Sequence, residues 1–142
     1  MFKNIVIPVD LEKKFSWKSV MPVASAYVKN MGSKLYFVHV IPDFGLQMIE
    51  DYLPKNWIKD RKQKCQEQLE RLVAKYLPED IEFEFYICKG AIYDEIITYA
   101  NNVEADLIIV SAVGPQQKDY MLGPNASKTV RHADVSVLVV RG

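Results

Sequence analysis

Ile5-Val6-Ile7 runs directly into Pro8-Val9-Asp10, and this stretch decides much of what the sequence predicts about the fold. The apolar run is continuous and rich in β-branched residues, which is typical of a strand covered by helices on both faces of a parallel sheet. Residues 35–41, 107–110 and 135–140 have the same character. Residues 81–87 instead alternate between apolar and polar side chains, which predicts a strand near an edge of the sheet.

Helical periodicity fills the intervals between these strands. Pro22 is expected in the first turn of the first helix or at a kink, Gly32 at its C-cap, and Pro78 beyond the end of the second. The four apolar stripes comprise Trp17, Met21, Ala24, Val28 and Met31; Ile58, Cys65, Leu69, Leu72, Val73 and Tyr76; Ile92, Ile96, Ala100 and Val103; and Ala126, Thr129, Val130 and Ala133.

The resulting order, β-α-β-α-β-α-β-α-β, predicts an α/β fold. It has a five-stranded, mostly parallel sheet and four helices lying on both of its faces. The 142 residues fit one domain, residues 1–142.

Composition narrows the possible functions. The formal net charge is zero, which gives no reason to expect a nucleic-acid partner and leaves self-association free of charge repulsion. No apolar run approaches the roughly 20 residues of a membrane span, and the first residues do not look like a secretion signal. Cys65 and Cys88 are far apart and predict free thiols in a reducing compartment, so we expect a cytoplasmic protein.

Open parallel sheets bind ligands beyond the carboxyl ends of their strands. Asp10 stands at such an end, where its carboxylate could accept hydrogen bonds from a ribose or an amino group, or could bind nearby backbone instead. The segment from Gly114 to Gly123 leads into the last helix. Its glycines suit a phosphate at a helix N-terminus, and they also suit an ordinary βα loop.

The remaining polar residues favour structural roles. We expect His39 to be a hydrogen-bonded core histidine, Cys88 a buried inert thiol, and Arg131 and His132 favourable charges at a helix end. Lys118 and Lys128 flank the glycine loop and are expected to be solvated. No metal-ligand cluster, paired carboxylates or Ser-His-Asp spacing occurs, so the sequence assigns no catalytic residue and no metal and predicts a protein that is not an enzyme. The acidic residues of a phosphoacceptor receiver domain are missing as well.

Taken together, these motifs resemble the universal stress protein family over essentially the whole chain. The stretches that carry the resemblance are residues 4–10, 38–42, Gly90, 105–110, 122–133 and 135–141. The resemblance implies a flavodoxin-like fold, also described as adenine nucleotide α-hydrolase-like. It also implies a homodimer paired antiparallel through the last strand, at Val137, Leu138, Val139, Val140 and Arg141.

The resemblance further implies an adenine nucleotide, ATP or AMP, with Mg²⁺ as a possible companion. The positions that match the family's adenosine contacts are Pro8, Val9, Asp10, Val40 and Val110. Those that match its phosphate contacts are Ser111, Val113, Gly114, Gly123, Pro124 and Asn125.

The phosphate motif departs from the family pattern at four points. Ser111 occupies the position of the family's first glycine, and Val113 replaces the usual histidine. The intervening loop, residues 115–122, has eight residues rather than nine. Pro124 replaces a serine or threonine, which removes one N–H and one hydroxyl. Because a hydrogen bond to a charged group contributes about 1.5–3 kcal/mol, we expect triphosphate binding to be weaker by about two orders of magnitude.

Two functions stay open at this point. One is a dimeric stress-response or signalling module that binds an adenine nucleotide through its adenosine side. The other is a dimeric interaction protein of the same fold that binds no nucleotide. Slow ATP hydrolysis also stays open, and residues 42–56 are expected to form a flap over the adenosine pocket.

Overall fold

The computed structural model describes residues 1–11, 13, 15–42, 52–112 and 123–141, although not the side chains of Phe15 and Pro42. Its five strands are β1 (Asn4–Pro8), β2 (Lys34–Pro42), β3 (Phe83–Gly90), β4 (Leu107–Ser111) and β5 (Ser136–Val140). Its helical segments are α1 (Phe15–Lys18), α2 (Val20–Met31), α3 (Trp57–Tyr76), α4 (Ile92–Asn102) and α5 (Pro124–His132). Most of the predicted flap, residues 43–51, lies outside the described residues.

All five strands form one parallel sheet in the order β3-β2-β1-β4-β5. The predicted α/β fold is therefore confirmed, with every described strand pair parallel. Strand β3, whose sequence alternates between apolar and polar residues, lies at one edge of the sheet, as its pattern predicts. Its side chains alternate between half-buried and exposed over residues 83–87. The strand order reverses between β1 and β4: β2 and β3 extend the sheet on one side of β1, and β4 and β5 extend it on the other.

Apolar side chains cover both faces of the sheet, which explains why the inner strands read as continuous apolar runs. On one face, Ile5, Ile7 and Phe37 pack with residues of α1, α2 and α3. On the other, Val6 and Ile108 pack with residues of α4 and α5. Since alternate residues of β1 point to opposite faces, Ile5, Val6 and Ile7 are all completely buried.

The predicted first helix forms two segments, α1 and α2, separated at Ser19. Pro22 lies in the first turn of α2, where its missing N–H is harmless. Gly32 has φ of +66° and donates its N–H to the Val28 carbonyl, which confirms the predicted C-cap. Met31 was wrongly assigned to the buried stripe, since it is 52% exposed in the last turn.

The predicted stripe of α5 is also partly wrong. Thr129 is completely buried, as expected, and its Oγ1 donates to the Asn125 carbonyl at 2.7 Å. Val130 is 43% exposed. With only nine residues, α5 turns a narrow face to the sheet, and the next residue along points outward.

Asp106 binds the start of the chain to the start of β4. Its carboxylate oxygens accept the N–H groups of Lys3 at 2.8 Å and Asn4 at 3.1 Å, and its own N–H donates to the Asn4 carbonyl at 2.9 Å. These bonds set the register of β1 against β4, in which Ile5 lies opposite Leu107.

None of the helices in the described ranges is long and apolar enough to cross a membrane.

Candidate functional site

The candidate site lies at the carboxyl edge of the sheet, where the ends of β2, β1 and β4 are adjacent. This is the point at which the strand order reverses, and parallel sheets leave a crevice for ligands there. The connections through α5 and α3 are crossovers between parallel strands, so the N-termini of both helices lie at this same edge.

At the end of β1, Val9 is held by its backbone. Its N–H donates to the Val38 carbonyl at 2.9 Å, and its carbonyl lies 2.9 Å from Nδ1 of the buried His39. Since a carbonyl only accepts, the ring hydrogen of this bond is on Nδ1. The prediction that His39 is a hydrogen-bonded core histidine is confirmed, and its role is to fix the backbone beneath the site.

Asp10 follows Val9, and Ser16 clamps its backbone. The Asp10 N–H donates to the Ser16 Oγ at 2.9 Å, and the Ser16 hydroxyl donates to the Asp10 carbonyl at 2.8 Å. The Asp10 side chain is 41% exposed, and its Oδ2 lies 3.9 Å from the Lys13 Nζ. The carboxylate therefore stands on a rigid backbone and remains accessible from solvent.

Sequence reasoning missed Ser16. The signal available was a hydroxyl residue six positions after Asp10 and just before the first helical stripe, which is where caps and turn-forming side chains occur.

The ends of β2 and β4 bring together the other predicted adenosine contacts. Val40 and Val110 are buried in the same apolar cluster, on the face covered by α4 and α5. Ser111 is half-buried, and its Oγ donates to the Ala112 carbonyl at 3.1 Å. Pro8 is the last residue of β1 and pairs with Val38, so it lies at the same edge.

The start of α5 supplies backbone amides to this edge. Gly123 has φ of −61° and ψ of 160° and occupies the N-cap, and no side chain among the described residues caps the helix. The first helical bond runs from the Ser127 N–H to the Gly123 carbonyl at 2.9 Å, so the N–H groups of Asn125 and Ala126 come before it. Pro124 stands in the first turn and contributes no N–H.

The remaining phosphate contacts fall on the glycine loop. Val113 and Gly114, together with Lys118 and the loop 115–122, lie outside the described residues. Lys128, predicted to be solvated, places its Nζ 5.0 Å from the ring centre of Tyr93, and the His132 ring lies tilted against the same ring, with the centroids 5.8 Å apart. These contacts join α5 to α4.

Cys88 lies in β3, two residues before its end, and is paired with Val40 of β2 in the register. Burial and, to a lesser extent, the neighbouring Glu95 carboxylate together raise the pKa of its thiol to about 12. The thiol is therefore protonated at neutral pH, which fits the prediction of a buried inert cysteine, and neither Cys65 nor Cys88 forms a disulfide. Glu95 also packs against Gly90, where a Cβ would lie 2.9 Å from Glu95 Oε1, and sequence reasoning missed this carboxylate.

No group of His, Cys, Asp and Glu side chains among the described residues could hold a metal ion.

Strand β5, through which the dimer is predicted to form, is the outer strand of the sheet on the side opposite β3. Its side chains are half-buried from Val137 to Val140, and Arg141 is exposed.

Comparison with known proteins identifies the family. The sequence model of the universal stress protein family matches residues 1–141, so this chain belongs to that family. Universal stress protein G of Escherichia coli O157:H7 is 25% identical over 144 residues, which cover 99% of this chain and all of the relative.

Solved structures share the fold. Hypothetical protein MJ0577 superimposes with a TM-score of 0.81 at 21% identity, covering 100% of this chain and 97% of its own. A universal stress protein in complex with cAMP has a TM-score of 0.66 at 20% identity, covering 99% of this chain and 97% of its own. The universal stress protein of Archaeoglobus fulgidus in complex with dAMP has a TM-score of 0.66 at 19% identity, covering 99% and 98%.

Proposed function

From its membership of the universal stress protein family, we propose that this chain is a cytoplasmic, single-domain homodimer, spanning residues 1–142, that binds an adenine nucleotide and acts in stress response or signalling. The observation that carries the proposal is the meeting of three strand ends with an uncapped helix N-terminus at the switch point of the sheet. Binding, rather than catalysis, is the proposed activity.

The adenosine side is the stronger half of the proposed site. Asp10 presents an accessible carboxylate on a backbone that Ser16 holds at two points. A carboxylate accepts hydrogen bonds from the vicinal hydroxyls of a ribose, and a charged acceptor makes these bonds strong. Val40 and Val110 supply apolar surface and backbone groups beside it for the purine.

The phosphate side is the weaker half. The N–H groups of Asn125 and Ala126 and the positive end of the α5 dipole can hold one phosphate. Pro124 withholds the N–H and the hydroxyl that a serine would supply at the same position. The nucleotide is therefore held mainly by its nucleoside, and AMP is expected to bind about as well as ATP, with Mg²⁺ contributing little.

Two family structures support an adenine nucleotide as the ligand. One is a complex with cAMP and the other a complex with dAMP, and each of these ligands carries a single phosphate. Monophosphates fit a site that offers few phosphate donors.

The proposed dimer pairs β5 with its copy, antiparallel. Strand β5 ends the sheet beside β4, and Val137 and Val139 pack on one face of the sheet while Leu138 and Val140 pack on the other. An apolar edge strand with half-buried side chains on both faces favours symmetric pairing, which removes the open edge.

Isothermal titration of the purified protein with ATP, AMP and adenosine, with and without magnesium, tests the proposal. Micromolar binding of all three, with little preference among them, is expected. ATP binding much more tightly than adenosine would contradict the weak phosphate side.

One observation favours a second candidate function. The start of α5 has a proline in its first turn and no described capping side chain, and a family member that binds no nucleotide would also show this arrangement. The chain would then be a dimeric interaction protein of the same fold, and titration would give no heat with any of the three ligands.

A further inference from the structure

A groove runs along the edge of the sheet opposite β5, between helix α3 and strand β3. Its volume is about 650 Å³, and it opens to solvent. The floor is the stretch Phe85–Ile87 of β3, and the wall is a stripe of exposed polar side chains on α3: Lys59, Lys62, Gln63, Gln66, Glu67 and Glu70.

The floor of the groove offers backbone hydrogen bonds. The Leu35 N–H donates to the Glu82 carbonyl, so the backbone of Glu82 faces β2. Because backbone groups alternate between the two edges of a strand, those of Phe83, Phe85 and Ile87 point away from β2, toward the groove. Within the described part of the chain no strand pairs with this side of β3. An added strand would find both donors and acceptors here.

The wall of the groove is electrically polarised. Lys59 and Lys62 lie near the N-terminus of α3, and Glu67 and Glu70 follow about one and a half to three turns later on the same stripe. Since α3 is a crossover helix, it runs antiparallel to β3, and its basic end lies toward the carboxyl end of β3. Among the residues that the structure describes, none of these four side chains forms an ion pair, although Gln66 approaches Glu70 at 3.4 Å.

We infer that the occupant of this groove is the same edge of a second copy, with the two β3 strands paired antiparallel about a two-fold axis. The two-fold axis makes the α3 helices of the two copies antiparallel. The basic end of each polar stripe therefore faces the acidic end of the other copy's stripe, and this contact occurs twice. The glutamines between them can donate and accept across the axis. A parallel partner would instead place like charges together, which disfavours it.

The outer face of β3 agrees with this pairing. Tyr86 is 43% exposed and stacks on Tyr99, with ring centroids 4.9 Å apart. A neighbouring strand would cover this exposed ring, as aromatic side chains across paired strands commonly do. The edges at β3 and β5 lie at opposite ends of the sheet, so the β3 pairing neither needs nor blocks the dimer proposed above, and it does not depend on nucleotide.

Charge reversal tests the inference. Lys59→Glu/Lys62→Glu makes the whole stripe acidic, and Glu67→Lys/Glu70→Lys makes it basic. Sedimentation velocity of the full chain over a concentration series is expected to show that each variant loses the association step that β3 pairing contributes in the wild type. Each dissociation constant should rise by about tenfold or more, because every reversal acts twice in a symmetric pair. An equimolar mixture of the two variants is expected to regain the step, because the acidic and basic stripes match.

The matched control for Lys59→Glu/Lys62→Glu is Lys18→Glu/Lys29→Glu, which makes the same change in net charge on α1 and α2 and should keep wild-type association. All the substituted side chains are exposed, and circular dichroism checks that each variant is folded. If the stripe variants associate like the wild type, or if the wild type shows no step that they lose, the inference is wrong. If both lose the step and their mixture does not regain it, the groove holds something other than an antiparallel second copy.

Discussion

The two halves of the candidate site differ in what holds them. The proposed adenosine half stands on strand ends whose backbone is fixed by side-chain partners, with the buried His39 bound to Val9 and the half-buried Ser16 bound to Asp10. The phosphate half stands on the first turn of α5, where Gly123 provides no capping side chain and Pro124 provides no N–H. Affinity in this family member should therefore come from rigid strand ends, and phosphate selectivity from one turn of helix.

The largest effect should follow from removing the charge on the adenosine half. Asp10→Ala deletes the carboxylate proposed to bind the ribose, and about 1.5–3 kcal/mol per charged hydrogen bond corresponds to about a tenfold to hundredfold loss of affinity. Titration should show an equal loss for ATP, AMP and adenosine. Lys13→Ala is the control, because its ammonium lies 3.9 Å from Asp10 at an exposed site and should matter little. If Asp10→Ala weakened the binding of ATP alone, Asp10 would belong to the phosphate half of the site instead.

The next effect restores what the phosphate half lacks. Pro124→Ala returns one N–H, and Pro124→Ser returns the N–H and a hydroxyl. ATP affinity should rise in that order, by about tenfold or more for serine, while adenosine affinity stays unchanged. Titration of the three proteins with both ligands gives the comparison. If serine tightens adenosine as much as ATP, the two halves are not separable.

A smaller effect should follow from loosening the adenosine half without touching its charge. Ser16→Ala removes the hydroxyl that binds both the N–H and the carbonyl of Asp10. Urea denaturation should show a loss of about 1 kcal/mol, and nucleotide affinity should fall a few-fold because Asp10 is less well positioned. Ser16→Thr keeps the hydroxyl and serves as the control. Unchanged stability in the alanine variant would show that the clamp is dispensable.

The last effect is absent at neutral pH and should appear only in alkali, at the buried Cys88 of β3. Burial first, and then Glu95, raise the folded-state pKa of Cys88 to about 12, whereas the ordinary value is 9.0. Stability from this protonated thiol is fully present below pH 9 and is lost as the pH rises toward 12. Cys88→Ala should flatten that decline in urea melts between pH 9 and pH 11. Some decline should persist, because burial also raises the pKa of Tyr99 to about 12. An unchanged slope would show that the thiol does not titrate with unfolding.

The sequence predicts the sheet well because its signals are local and strong. A continuous β-branched run such as 107–110 fits only a strand covered on both faces, and the alternation in 81–87 correctly marks an edge. Gly32 and Pro22 report local backbone geometry, so their positions were also predictable. Periodicity alone could not show the break at Ser19, which depends on how α1 and α2 each pack against the sheet.

The sequence-based predictions failed for the exposure of some helix side chains and for polar side-chain contacts. Met31 and Val130 fit their stripes, but the helix ends turn them away from the core. Ser16 and Glu95 act through partners that only the fold brings close. A hydroxyl residue just before a helical stripe hints at a turn or a cap, but it does not show that Ser16 binds Asp10, and nothing in the sequence around Glu95 distinguishes it from a surface residue. The candidate site could be placed at a sheet edge from the sequence, whereas the clamp that makes the edge rigid could not.

The bonds between Asp106 and the first residues have a consequence for how the chain is made. Strand β1 is the centre of the sheet, yet its second neighbour, β4, begins about 100 residues later. A ribosome adding about 5–20 residues per second needs several seconds to deliver β4 after β1 has emerged. During that interval β1 can pair with β2, but its other edge stays open. Nascent protein is therefore most exposed to chaperones and to aggregation through its own first strand, and this exposure ends only when Asp106 leaves the tunnel.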